Sequence, residues 1–535
     1  MNCEKNICSD GQFDKRLPMF NENDAPNLSM FRAYDIRTQA ERLDPESAFR
    51  LIHAIARYAR ECLETNEIVL CRDTRLSGAR FLQQGIEIFA DLGFQVWTNP
   101  TPISTCHFYY CCMRFPRAAG IMYSASHNPG VYTGQKIVGP NVQPIAMDIG
   151  PAGGLRKIRE FYRSGSTMDA IPGGTISCMD FLADYVTYSM RLAGVQPGGL
   201  QGLPIIMDFL AGTAGAEFSH AFTTAGARVT YRNLIPDGDF PAGEPNPIIR
   251  KSVLPTLGRL SKGDHAFAFC FDGDGDRLDI IASTGEQISP SMNIAVLAPY
   301  LQALFSPYAN KTRKLIIGID PKANPIAHIA LAKEGVAIQL VKSGHSRIKK
   351  VLHERATEGF IAAVEESAHY YLNFPLDPNS VELPFFATEN TLFFGLLTAR
   401  IWYENPKRYL DTLELQRNVF RQREWGYRFS NPEQRQSALS EIEQAFLLQG
   451  ACVIKETDDG QPLDATLIRQ GIPLKLERDS CIPTQWLQVS QRISESEDGL
   501  ARWEVTAGTE ELKQSAADTI NTIACRFTDS TAYIG

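Results

Sequence analysis

Short apolar runs that open directly into polar or glycine-bearing turns, each followed by a helix-length segment, recur along most of this chain. Glu67-Ile68-Val69-Leu70-Cys71 is the plainest, and it opens into Arg72-Asp73-Thr74-Arg75. A helical stretch over 45–64 precedes it, with Phe49, Ile52, Ile55, Ala56 and Ala59 at helix spacing. A second, over 78–92, leads to the strand Gly93-Phe94-Gln95-Val96-Trp97. Strand, helix, strand with short connections is the signature of a mostly parallel sheet covered by helices. Residues 118–123 then read as the strand delivering Ser124-Ala125-Ser126-His127-Asn128-Pro129. Sheets of this kind place ligands at the carboxyl ends of their strands.

The rhythm restarts after a glycine-rich break over 150–174. Leu203-Pro204-Ile205-Ile206-Met207-Asp208 and residues 266–271 read as strands of a second unit, and Leu315-Ile316-Ile317-Gly318-Ile319 as a strand of a third. From about Asn405 the texture shifts to Gln, Glu and Arg, with alternation such as Pro473-Leu474-Lys475-Leu476-Glu477 and a closing helix over 510–525. At 535 residues the chain is too long for one core. The pattern divides it into a polar tail, 1–28, three α/β domains, 29–165, 175–291 and 292–404, and a smaller α+β domain, 405–535.

A net charge of -8 gives no global attraction to nucleic acid or an anionic membrane, so a phosphorylated ligand needs a local basic pocket. The first twenty residues hold no apolar run fit for a signal peptide, and no window approaches the roughly 18 uninterrupted apolar residues of a membrane span. The twelve cysteines are scattered, with Cys111 and Cys112 adjacent and no C-x-x-C spacing. That suits reduced thiols in a cytoplasmic protein, not a disulfide framework or a zinc site.

Two loops carry chemistry. In the first, Asn128-Pro129-Gly130 demands a turn that exposes Ser126 beside His127, with Lys136 shortly after. Ser, His and Lys together can activate a nucleophile or bind an anion, although a polar surface turn explains the same residues. In the second, Phe271-Asp272-Gly273-Asp274-Gly275-Asp276-Arg277 spaces three carboxylates by glycines, which let the backbone fold so that the side chains converge. Carboxylates are hard ligands for Mg²⁺ or Ca²⁺. An EF-hand needs Gly at its sixth and Glu at its twelfth position, and those are Arg277 and Ser283. A metal-free Asp-Gly turn would leave three repelling anions. Three carboxylates around Mg²⁺ leave positions open for a phosphoryl oxygen.

Taken together, these residues resemble the α-D-phosphohexomutase family, most closely its bacterial phosphomannomutase/phosphoglucomutase group, from about Met30 onward. Met30-Phe31-Arg32-Ala33-Tyr34-Asp35-Ile36-Arg37 matches the opening motif, with Thr38 in place of glycine, and residues 71–78, CRDTRLSG, match the second. Residues 124–136 match the catalytic loop, with Thr133 for asparagine, and 271–277 match the metal loop residue for residue. VKSGHSRIKK, 341–350, and Glu365-Glu366-Ser367-Ala368-His369 resemble motifs of the third domain. The resemblance implies four domains around a central cleft and reversible conversion of a hexose 1-phosphate to its 6-phosphate. It implies a phosphoryl group on Ser126, one Mg²⁺ held by Ser126, Asp272, Asp274 and Asp276, and a glucose 1,6-bisphosphate-type activator that primes the serine. Arg37, Lys136 and Arg277 would stabilise the transferring group. His127, His345 and His369 would bind or move protons. Tyr34, Lys322, Glu365 and Ser367 would hold the sugar phosphate.

The match weakens in the fourth domain. There the family's phosphate loop, R-x-S-[GN]-T, is best represented by Arg492, Ser494 and Ser496, with Glu495 and Asp498 adding anions beside a dianionic ligand. Ala368 replaces the glycine of the sugar loop, and Thr388-Glu389-Asn390 stands where Asp-Gly is frequent. The expected partner is a phosphosugar of mannose or glucose, with glucosamine or N-acetylglucosamine phosphate as the alternative, in a monomer or homodimer. Two other readings predict different products: a weak sugar-phosphate-binding relative acting through a partner, and a sugar phosphatase.

Overall fold

A computed structural model describes residues 27–308, 314–457, 459–473, 475–494, 499–530 and 533–534. The tail expected over 1–28 therefore lies outside the described residues up to 26. Among the described residues four sheets form, each carrying helices, in a mixed α/β architecture.

The first sheet runs, in spatial order, Ile36–Gln39, Tyr132–Gly139, Ala119–Tyr123, Glu67–Arg72, Gln95–Thr98 and Thr175–Cys178. Its middle is parallel, with Ile68 opposite Ala119 and Val96, and its Tyr132–Gly139 side is antiparallel. The helix Pro45–Glu61 covers one face. Asp44 caps it by accepting from Ser47 N at 2.7 Å, Pro45 supplies a preset first turn, and Leu51, Ile52, Ile55 and Ala59 are buried. The boundary drawn at 165–175 shifts here. Thr175–Cys178 pairs in parallel with Gln95–Thr98, so the segment closes the first sheet instead of opening the second unit. Its residues are mostly exposed, as an edge strand allows, so it carries no apolar run to mark it.

The second sheet is ordered Gln287–Ile288, Leu278–Ala282, Phe267–Phe271, Pro204–Asp208, Arg228–Arg232. The third is ordered Ala337–Leu340, Ile316–Ile319, Phe360–Glu365, His369–Asp377, Ser380–Glu389. The helices between them cross over. Pro290–Phe305 packs on the third sheet, with Phe305 and Phe385 rings 5.7 Å apart. Thr391–Glu404 returns to the second, where Trp402 meets Phe267 at 4.7 Å and Gly395 lies against Phe218.

The fourth unit is an antiparallel sheet, ordered Cys452–Glu456, Pro462–Gln470, Leu487–Ile493, Leu500–Ala507, Phe420–Arg428, Tyr533–Ile534, backed by the helices Pro432–Leu448 and Glu510–Ala524. The alternation expected to make a strand at 473–477 does not: the described residues there pair with no strand, although Leu476 is buried. No helix among the described residues is long and apolar enough to cross a membrane.

Candidate active site

Loops at the carboxyl ends of strands from the first three sheets, and one face of the fourth, converge on a single cleft. Ser126, His127, Lys136, Arg37 and Tyr34 reach it from the first unit and Asp276 and Arg277 from the second. Lys322, His345, Glu365, Ser367 and His369 come from the third, and Arg492 from the fourth. Ser494 is buried beyond the strand Leu487–Ile493, where its N–H donates to Leu500 O, and it does not line the cleft. Ser496 lies outside the described residues.

Ser126 is buried and adopts a left-handed conformation, φ 50°, that an L-residue seldom keeps without support. The support is Arg75, which sequence reading gave no role. Its guanidinium donates to the carbonyls of Ser126 and Asn128, each at 2.6 Å, and to those of Pro129 at 2.7 Å and Tyr132 at 3.2 Å. Its Nε is fixed by Asp73 at 3.0 Å, and both side chains are essentially inaccessible. Asp73 and Arg75 come from the turn after the strand Glu67–Arg72, so the second motif exists to knot the serine loop.

The acidic loop meets that knot. Ser126 Oγ donates to Asp272 Oδ2 at 3.0 Å. Asp274 Oδ2 accepts from Ser124 Oγ at 2.9 Å, Thr105 Oγ1 at 2.5 Å and Lys136 Nζ at 2.7 Å. Gly273 permits the contact: a Cβ there would lie 2.8 Å from Ser126 O. Gly275 turns the chain back at φ +72°. Ligand oxygens of Asp272, Asp274 and Asp276 all lie within 4.8 Å of one another. Asp274 Oδ1 and Asp276 Oδ1 are buried with no hydrogen-bond partner among the described residues, which a hard cation would satisfy. Burial, then the neighbouring Asp276 and Asp274, push the Asp272 carboxyl far up. Lys136 is held strongly cationic: burial opposes its charge, but Asp274 and Asp276 outweigh it.

The three histidines divide two to one. Burial, with Arg277 and Arg37 adding to it, keeps His127 neutral, and burial with Lys349 and Lys136 does the same for His345. Burial also disfavours the His369 cation, but Asp276 and Glu389 outweigh it and raise this imidazole. His369 Nδ1 is 3.1 Å from Glu389 Oε1. Glu389 in turn accepts from Lys349 at 3.0 Å, and despite burial Lys349 and His369 bring its carboxyl down to about 2. Glu389 stands where the sequence comparison noted only a missing Asp-Gly.

Glu365 is engaged within the fold. Oε1 accepts from Gly344 N at 2.8 Å and Oε2 from Tyr371 OH at 2.5 Å, so it ties the turn over 365–369 to the Ser343-Gly344-His345 turn. Ala368, in the position where glycine was expected, still takes the left-handed conformation, φ 71°. Ala368→Gly should therefore stabilise the protein by about 1 kcal/mol, read as a rise in melting temperature.

The fourth wall is more basic than the sequence suggested. Arg421, Arg423, Arg492 and Arg502 line it, with Glu424 and Glu504. Arg423 and Glu424 are consecutive yet both face the cleft, because the register slips between Gln422 and Trp425 against the strand Leu500–Ala507. Such a bulge places an extra residue on one face, and alternation along the sequence cannot reveal it. Burial opposes Glu424 ionisation, but Arg492, Arg502 and Lys322 outweigh it and hold the carboxyl well below the usual range.

Known proteins are similar to this chain over most of its length. The family model described as phosphoglucomutase/phosphomannomutase, alpha/beta/alpha domain I matches residues 28–150, and that of alpha/beta/alpha domain II matches 183–285. A phosphomannomutase/phosphoglucomutase of Pseudomonas aeruginosa is 27% identical over 364 residues, 65% of this chain and 70% of the relative. A phosphomannomutase of Escherichia coli is 28% identical over 359 residues, 64% of this chain and 73% of its own. The crystal structure of a phosphoglucomutase/phosphomannomutase family protein from Burkholderia thailandensis superposes with a TM-score of 0.74 at 20% identity, covering 95% of this chain and 100% of that one.

Proposed function

We infer, for a chain that belongs to the α-D-phosphohexomutase family, that it is an isomerase moving a phosphoryl group between the 1- and 6-positions of a hexose, mannose or glucose. The observation that carries this reading is Ser126 Oγ, 3.0 Å from Asp272 Oδ2, in a cleft also lined by Arg421, Arg423, Arg492 and Arg502 of the fourth unit. One wall can react while the other holds the second phosphate, and a hydrolase needs no second anion site.

In this reading Ser126 carries the phosphoryl group, gives it to the sugar to form a bound 1,6-bisphosphate, and receives the other phosphate back. Asp272, Asp274 and Asp276, with Ser126, would hold Mg²⁺, which would supply positive charge against that of the group being transferred. Lys136, Arg37 and Arg277 are cations fixed before reaction, which stabilise developing charge without reorganising. Arg37 is oriented by Asp35 and by Asn128 Oδ1, each at 2.5 Å. Neutral His127 and His345 can accept the proton of the attacking hydroxyl, and His369, backed by Glu389, can return one. Tyr34, Lys322 and Ser367 face the sugar, and Glu365 acts by shaping the loop between them.

Phosphorus NMR tests the reading directly. With Mg²⁺, a trace of glucose 1,6-bisphosphate and the 1-phosphates of mannose, glucose and N-acetylglucosamine supplied separately, a 6-phosphate signal should grow for mannose or glucose. EDTA should slow it on the order of 100-fold. Release of inorganic phosphate alone would make the protein a phosphatase, and binding without conversion would make it a non-catalytic relative.

A further inference from the structure

The arginine wall contains a pair that the sheet alone would not keep together. Arg492 and Arg502 are direct cross-strand partners between Leu487–Ile493 and Leu500–Ala507, and like charges so placed repel. Glu424 joins them. Its Oε2 accepts from Nε and Nη2 of Arg492 at 3.2 and 2.7 Å, and its Oε1 accepts from Nη1 of Arg502 at 2.6 Å. Lys322 Nζ stands 4.0 Å from the same Oε2. The Glu424 side chain is 17% exposed, and it lines the cleft shared with Ser126.

Two guanidinium groups and an ammonium around one planar anion make the donor set that recognises phosphate. A phosphate would present three oxygens and more charge to the same donors, and it could not share them with a fixed carboxylate without repulsion. Glu424 sits on a bulge, with the register already broken on either side, so its side chain can swing away without unpairing a regular ladder.

We propose that Glu424 is an internal occupant of the distal phosphate site, and that the non-reacting phosphate of the bound sugar takes its place between Arg492, Arg502 and Lys322. This rests on reading the cleft as a sugar-phosphate site. Glu424 then sets the affinity of the cleft by competing for its cations. It keeps the two arginines paired when the cleft is empty and yields them when the ligand arrives. Of the residues matched to the family's phosphate loop only Arg492 is needed for this contact, because the other donors are Arg502, on the neighbouring strand, and Lys322, from the third unit.

The experiment compares the full-length protein with Glu424→Gln, which keeps the shape and removes the charge, and with Glu424→Ala. For Glu424→Gln, KM for hexose 1-phosphate should fall about tenfold while kcat does not rise, the pattern of tightened ground-state binding. Calorimetry with glucose 1,6-bisphosphate on Ser126→Ala and Ser126→Ala/Glu424→Gln should show about tenfold tighter binding in the double variant. Inorganic phosphate should raise the melting temperature of both Glu424 variants more than that of the parent. A higher KM and weaker bisphosphate binding would make Glu424 a strut that orients the arginines and would overturn the proposal, as would no change in either. If the parent shows no turnover, the mutase reading fails, but the calorimetric comparison still decides the role of Glu424. Absence of binding by either probe to any variant overturns both.

Discussion

With Ser126 as the proposed phosphoryl carrier, Ser126→Ala should abolish hexose-phosphate interconversion, by on the order of 10,000-fold or more, because no neighbouring hydroxyl can replace a covalent carrier. Ser124 is the nearest candidate, but its Oγ is committed to Asp274 Oδ2 and to the Ser126 amide. Stability should barely move. The variant loses one hydrogen bond, to Asp272, worth about 1 kcal/mol, and the left-handed backbone is held by Arg75 through carbonyls that alanine retains. Coupled turnover assays and a melting curve check the two halves. Activity near that of the parent would remove the serine from the reaction and with it the bisphosphate scheme.

Arg75→Met should damage both folding and turnover, although the side chain never touches the cleft. The substitution strands Asp73, fully buried, without its cation and leaves the carbonyls of Ser126, Asn128, Pro129 and Tyr132 without a common donor. Breaking a buried ion pair from one side costs about 3–5 kcal/mol. The released loop no longer fixes Ser126 Oγ, and a displacement of about 1 Å at a reacting atom costs about 100-fold in rate. Chemical denaturation and kcat measured on the fraction that folds separate the effects. Arg75→Lys should rescue little, since an ammonium cannot reach four carbonyls in the plane of a guanidinium fork. A fully active, stable Arg75→Met would show that the loop holds itself.

Chemistry written in consecutive residues was legible in the sequence, and chemistry assembled across elements was not. The serine and acidic loops could be read because glycine and proline declare their turns and three aspartates declare a cation. Long apolar strands such as Phe267–Phe271 were found within a residue or so of their ends. Thr175–Cys178 was missed because an exposed edge strand needs no apolar pattern, and 473–477 was misread because a short alternation does not guarantee a partner strand. Arg421, Arg423 and Arg502 escaped notice because a bulge and two separate strands bring them together. Glu389 was seen only as a departure, since its partners Lys349 and His369 are 40 and 20 positions away in the chain.

The crossing of helices between the second and third sheets bears on how the chain can be made. The helix Thr391–Glu404 caps the second sheet, whose strands end at Ile288, so more than a hundred residues of the third unit are synthesised before that cap exists. While the ribosome is still adding them, the Phe218, Phe267 and Phe269 surface waits uncovered. The two units are therefore one cooperative block during biosynthesis. A premature stop anywhere between them would leave an aromatic face open to aggregation instead of a smaller folded protein.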